Sequence, residues 1–278
     1  MPIDAQAEAA LIEAVRRVAK DEILTRFRNL SDRDVKTKSA PDDLVTEADT
    51  RAEAALTKAV HDILPGTAVV GEEAVAADPS VLKMLGSDRV VIIDPIDGTW
   101  NFAKGLATFG VILAVAEKGE TVFGLLYDPV LDDWVLARKG GGTWFCRPGQ
   151  PPMRLTIGGD IAADVMTGVV PLFMFPEATR QRLLGAIPGF RRIWSVRCSC
   201  HEYRLAAQGN ADFILTAGIN PWDHAAGALA VAEAGGAVGL LDGGRYDPTI
   251  TEGARLVSAR SPEVLDRIRA AFFPLIDG

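Results

Sequence analysis

Cysteine is nearly absent from this chain. Three copies in 278 residues, two of them at Cys198 and Cys200, make a disulfide framework improbable, and a reducing interior is expected. The run Cys198-Ser199-Cys200-His201 has no standard zinc spacing and no second cluster to complete it, so buried thiols are expected there. Long apolar runs are missing too, and with them any candidate for a membrane-spanning helix. Met1 to Lys20 is rich in Ala, Glu and Arg without an apolar stretch, so it does not read as a signal peptide, and a cytoplasmic protein is expected. Positive charge is in the minority: a net charge of −8 argues against nonspecific nucleic-acid binding. A nucleotide-binding glycine loop with its lysine is also lacking, which leaves a sugar-kinase reading unsupported. There is no internal repeat and no low-complexity stretch.

What remains is an ordinary globular composition, 48% hydrophobic and 24% charged, in a chain long enough for one large domain or two fused lobes. One stretch organises it. Val90-Val91-Ile92-Ile93 is a short β-branched run that reads as a buried strand. It runs into Asp94-Pro95-Ile96-Asp97-Gly98-Thr99-Trp100-Asn101-Phe102, and Pro95, which cannot donate to a ladder, predicts that the strand stops there. Two carboxylates close together at the end of a buried strand repel each other, and a cation between them relieves the repulsion. Hard oxygen ligands suit magnesium or manganese. Gly98 and Thr99 offer backbone N–H groups at an expected helix start, where a phosphate could sit.

Asp94-Pro95-Ile96-Asp97-Gly98-Thr99, followed by Asn101-Phe102, resembles the signature of the inositol monophosphatase family of magnesium-dependent phosphatases. A second signature lies at Trp222-Asp223, followed by small residues in His224-Ala225-Ala226-Gly227. Asp223 sits in the first turn of an expected helix, where the dipole also favours a carboxylate. The resemblance covers nearly the whole chain and implies an α/β fold, an αβαβα sandwich like those of inositol monophosphatase and fructose-1,6-bisphosphatase, and usually a homodimer.

The rest of the chain is read from its periodicity. Asp4 to about Phe27 is an amphipathic helix with Asp4 as cap, and Leu30 to Pro41 reads as a mobile polar loop. A second helix is expected from Asp42 or Asp43 to Ile63, ended by Pro65-Gly66. Thr67 to Val70 is a strand ending in Gly71-Glu72-Glu73. Phe109–Ala116, Val122–Tyr127 and Trp134–Ala137 read as adjacent antiparallel strands, with another at Thr143–Phe145. The proline-rich segment Arg147 to Pro152 is the expected boundary between an N-terminal α+β lobe, 1–147, and a C-terminal α/β lobe, 148–278. Beyond it, strands at 163–170, 192–196, 213–216, 237–241 and 255–258 alternate with helices at 177–184, 199–208, 221–234 and 261–273, a layered α/β pattern.

The resemblance implies a site. Glu72, Asp94, Asp97, Asp223 and the Ile96 carbonyl would surround about two magnesium ions, or three, with manganese as a substitute. One ion, held by Glu72, Asp94 and Ile96, would carry the attacking water, and another, held by Asp94, Asp97 and Asp223, would stabilise the leaving oxygen. Asp49 and Thr99 would orient that water and take its proton. Gly98 and Thr99 would grip the phosphate, and Lys38 matches the family's lysine near the metals. In isolation Asp49 would be a solvated helix carboxylate and Glu72 part of an acidic turn.

The chain also departs from the family. The glutamate that binds substrate hydroxyls in inositol-selective members falls at Thr216, and where those members open the preceding helix with a glycine and small residues, this chain reads Val196-Arg197-Cys198-Ser199-Cys200. Arg197 offers a bidentate contact to a phosphate or carboxylate, or is a surface arginine. Beside a phosphorylated polyol or sugar of the inositol kind stand fructose 1,6-bisphosphate, histidinol phosphate and 3′-phosphonucleotides. The alternative of another class is a regulatory protein that keeps the fold, but a retired enzyme has no need to retain all six of Asp49, Glu72, Asp94, Asp97, Thr99 and Asp223.

Overall fold

A computed structural model describes residues 3–30, 35–37 and 44–276. Helix α1 (Ala5–Val18) begins as expected, with Asp4 Oδ1 accepting from the Ala7 N–H at 2.7 Å, and runs on into a π-helical turn at Ala19–Leu24. Two short strands, β1 (Val35–Thr37) and β2 (Leu44–Thr46), pair antiparallel, so part of the expected loop is a ribbon. Lys38, Asp42 and Asp43 lie outside the described residues. Helix α2 (Glu47–Ile63) starts four or five residues later than expected, because Thr46 is its cap. Then come β3 (Ala68–Gly71), α3 (Glu72–Ala77), β4 (Arg89–Asp97), α4 (Thr99–Ala103), β5 (Gly110–Glu117), β6 (Glu120–Asp128), β7 (Asp133–Arg138), β8 (Gly142–Cys146) and β9 (Met153–Leu155). The remainder is β10 (Thr167–Val169), α5 (Glu177–Ala186), β11 (Arg192–Trp194), α6 (Ser199–Ala207), β12 (Phe213–Leu215), α7 (Pro221–Glu233), β13 (Ala237–Leu240), β14 (Leu256–Ala259) and α8 (Pro262–Ile276). Of the strand expected at 163–170 only β10 forms; Ala163–Val165 is a 3₁₀ turn.

Five layers result, in the expected αβαβα order. The seven-stranded sheet runs β3-β4-β5-β6-β7-β8-β9, antiparallel except for β3 beside β4. A division of the chain at residue 147 falls between β8 and β9, which pair with each other. Both faces of this sheet are covered, which is why its strands read as continuous apolar runs. Val91, Ile93, Val111, Leu113 and Val115 meet α1 and α2; Val90, Ile92, Ile112 and Ala114 face the other way, toward Tyr203 of α6 and Ala226 of α7. The five-stranded sheet, ordered β11-β10-β12-β14-β13, shares that middle layer through Val169 and Ile214. Its outer face, with Phe213, Leu215 and Val257, packs on Leu183 of α5 and Ile268 and Phe272 of α8. Arg204 locks the middle layer to the large sheet: its guanidinium donates to the carbonyls of Leu126 and Asp133 and pairs with the Asp133 carboxylate. No helix among the described residues is long and apolar enough to cross a membrane.

The strand expected to stop at Pro95 does not. β4 continues to Asp97 through a bulge: Asp94 opposes Ile112 and Asp97 opposes Gly110, so three steps on β4 match two on β5. Pro95 sits inside the irregularity, where the N–H it lacks is not needed by the ladder.

Candidate active site

α3, β4 and α7 deliver their carboxylates to one cavity. Asp94 and Asp97 come from the two sides of the bulge, and Asp223 from the first turn of α7, which Pro221 opens. One carboxylate oxygen from each of the three lies within 4.8 Å of the others. Asp94 and Asp97 are buried, at 1% and 6% exposure. Burial, and then the charge of Asp223, pushes the Asp97 carboxyl up to about 8. Asp94 is also raised, by burial first and then by Glu72, Asp97 and Asp223. Such a cluster is costly in its ionised form unless a cation sits among its members. The donor set is all hard oxygen, with no histidine in it, and so fits magnesium or manganese rather than zinc.

Around this cluster the side chains are tied down. The Asp97 Oδ2 accepts from the Cys200 backbone N–H and from the Cys198 thiol at 3.1 Å, while Asn220 Nδ2 donates to Asp223 Oδ2 at 3.0 Å. The thiols of Cys198 and Cys200 are buried, as expected, and burial raises both. Glu72 opens α3 and lines the same cavity. Its helix is anchored by a residue that periodicity marks only as a helix position: the Glu53 carboxylate, buried on α2, accepts from the N–H groups of Glu73 at 2.7 Å and Ala74 at 2.8 Å. Gly71 is glycine because a Cβ there would lie 2.2 Å from the Glu53 Cδ.

Asp49 is far from a solvated helix carboxylate. It is 1% exposed and closes a capping box: its Oδ2 accepts from the Thr46 N–H at 2.8 Å and the Thr46 hydroxyl at 2.5 Å. Its other oxygen, Oδ1, lies 3.2 Å from the Thr99 Oγ1, which is also 2.9 Å from the Ile96 carbonyl. Burial pushes Asp49 up to about 7 against the opposing pull of Thr46. Gly98, in the left-handed region at φ 87°, turns the chain from β4 into α4; a Cβ there would press on the Thr108 carbonyl at 3.0 Å.

The second half of the chain closes the cavity. Asn101 Nδ2 donates to the carbonyls of Thr108 and Val196, each at 2.8 Å, tying α4 to the segment before α6. Glu202, on α6, holds that segment from the other side, accepting from the Ser195 hydroxyl at 2.7 Å and the Val196 N–H at 2.8 Å. Between these anchors Arg197, half-buried, lines the cavity. Thr216 lines it too, but its Oγ1 accepts from the Leu256 N–H at 2.9 Å and is engaged with β14. His224 is a buried neighbour that burial lowers to about 4, leaving it neutral, with Nδ1 3.3 Å from the Tyr203 hydroxyl.

Of the residues expected in the site, Glu72, Asp97, Gly98, Thr99, Arg197, Thr216 and Asp223 line one cavity, Asp94 joins its carboxylate cluster, and Asp49 and Ile96 touch Thr99. Lys38 lies outside the described residues. Glu53 and Glu202 were not expected, and their sequence signal is a polar residue at a position the helical period assigns to a buried face; Asn101 stood in the signature without a role.

A family profile described as the inositol monophosphatase family matches residues 4–272. Inositol monophosphatase 1 of Xenopus laevis is 34% identical over 243 residues, which cover 84% of this chain and 81% of the relative. The Nus factor SuhB of Pasteurella multocida is 31% identical over 240 residues, covering 84% and 85%. Among solved structures, the IMPase of Thermotoga maritima matches with a TM-score of 0.78 at 25% identity, over 96% of both chains.

Proposed function

The chain belongs to the inositol monophosphatase family and is a phosphomonoester hydrolase, and we propose that it releases phosphate from a small phosphorylated polyol or sugar in the presence of Mg²⁺. The observation that carries this reading is the meeting of Asp94, Asp97 and Asp223 within 4.8 Å, in a cavity that Thr99 also lines. Glu72, Asp94, Asp97, Asp223 and the Ile96 carbonyl are the groups that would hold two or three divalent cations, with Mn²⁺ as a substitute. When bound, these cations neutralise the carboxylates, acidify water and draw charge from the phosphoryl group.

The chain's own part is positional and basic. Thr99 and Asp49 orient the attacking water, and the Asp49 Oδ1, on a carboxyl raised to about 7, accepts its proton. The fixed hydrogen bonds from Thr46 keep that oxygen aimed at Thr99. The N–H groups of Gly98 and Thr99 hold the phosphate, and Arg197, Thr216 and Lys38 contact the rest of the substrate. No covalent phosphoenzyme is needed. The homodimer and the cytoplasmic location belong to this proposal as properties expected of the family.

The test is phosphate release from inositol 1-phosphate, fructose 1,6-bisphosphate, histidinol phosphate and adenosine 3′,5′-bisphosphate, with magnesium and with a chelator. Magnesium-dependent release that D94N lowers at least about a hundredfold supports the reading; near-normal release by D94N defeats it. A second reading, a regulatory protein on the same fold, draws on the likeness to a Nus factor. It predicts cation binding with no release from any ester.

A further inference from the structure

Arg197 is held in a way that a passive wall residue would not need. Its φ is 57°, in the left-handed region that non-glycine residues avoid. Strain of this kind persists only where the surroundings over-determine it. Here they do: the Arg197 N–H donates to the Ser195 Oγ at 3.1 Å, Glu202 fixes Ser195 and Val196, and Asn101 holds the Val196 carbonyl. The side chain is fixed as firmly as the backbone. Its guanidinium carbon lies 4.5 Å from the ring centre of Trp100 and 4.6 Å from that of Phe173. Two aromatic rings thus contact the guanidinium, and the planar fork is oriented before any substrate arrives.

Charge makes this placement specific. Among the described residues lining the cavity, Arg197 is the only lysine or arginine, and Glu72, Asp97, Glu202 and Asp223 line it too. Asp97 is close at hand, since its Oδ2 takes the thiol of the next residue, Cys198. An oriented guanidinium edge matches a carboxylate or phosphate and has little to offer a neutral hydroxyl. We propose that Arg197, packed against Trp100 and Phe173, selects phosphate esters whose alcohol portion carries a second anionic group. This specificity rests on the phosphatase reading and narrows it: neutral polyol phosphates are the poorer substrates.

The experiment uses matched esters that differ in that group alone: glycerol 3-phosphate against 3-phosphoglycerate, and fructose 1-phosphate against fructose 1,6-bisphosphate. The full-length protein with magnesium is expected to favour the more anionic member of at least one pair by about tenfold or more in kcat/KM. The first pair reports a carboxylate and the second a phosphate. R197A and R197G are expected to cut that preference about ten- to a hundredfold, chiefly through KM, and R197K to restore part of it. R197G also keeps a residue at ease at that φ, so its fold, checked by thermal unfolding, is retained. Equal losses on both members of a pair would mean that Arg197 holds the reacting phosphate, and would overturn the inference. So would a wild-type protein that releases phosphate without preference. Failure to release phosphate from any ester overturns the phosphatase reading itself and this specificity with it.

Discussion

Removing the Glu53 carboxylate tests whether the site is held from behind. Glu53 straddles the first turn of α3, one oxygen on the Glu73 N–H and the other on the Ala74 N–H. E53A leaves both amides without their partner beside the proposed ligand Glu72. Loss of a helix cap costs about 0.5–2 kcal/mol and hydrogen bonds to a charged acceptor about 1.5–3 kcal/mol each, offset as water enters. A net loss of about 3 kcal/mol is expected, lowering the melting temperature by about 6–12 °C in a chain of this size. Displacement of Glu72 should weaken magnesium binding about tenfold or more by calorimetry. The control is Gly71. A Cβ there would fall 2.2 Å from the Glu53 Cδ, so G71A is damaging in the wild type and nearly harmless once Glu53 is gone. The E53A/G71A pair should therefore fall short of additivity by about 1 kcal/mol or more. An E53A protein that melts with the wild type, or a double variant equal to the sum of its singles, refutes the reasoning.

Two further outcomes follow from the same geometry. D49N should lower kcat about a hundredfold or more, and the acidic limb of the wild-type pH profile should disappear with it. The sign is fixed by the role: a base must be ionised, so activity is lost as pH falls through the Asp49 value, about 7 in the metal-free protein and lower with cations bound. An unchanged pH profile in D49N would assign the proton elsewhere. R204A should cost about 3–5 kcal/mol in denaturant unfolding, because it leaves the buried Asp133 carboxylate without its partner. R204M paired with D133N should recover part of that loss, and a loss below about 1 kcal/mol in R204A would show the bridge to be dispensable.

Much of the fold was legible because both faces of the large sheet are buried, so its strands appear as unbroken apolar runs and its helices as periodic ones. Capping chemistry was legible at Asp4 and misplaced at α2, whose cap is Thr46 and not Asp42 or Asp43. Pro95 was read as a stop because proline removes a ladder donor; the bulge that absorbs the loss depends on β5, which is not local in sequence. The carboxylates of the site stood out through their motifs. Their supports did not: Glu53 reaches α3 across 20 residues, Asn101 reaches Val196 across 95, and the Phe173 ring meets Arg197 only after two layers have formed.

The bulge in β4 acts as a reading-frame shift in three dimensions. Up to Asp94 the even-numbered residues of β4 look toward α6 and α7 and the odd-numbered ones toward α1 and α2. After it the assignment is reversed: Ile96 joins the apolar layer under α1 and α2, while Asp97 reaches Cys198 and Cys200 at the start of α6. Two aspartates of opposite parity thus end on one side, which a regular strand forbids. A regular strand of the same length, without the bulge, would turn the Asp97 carboxylate into the hydrocarbon layer beside Val91 and Ile93.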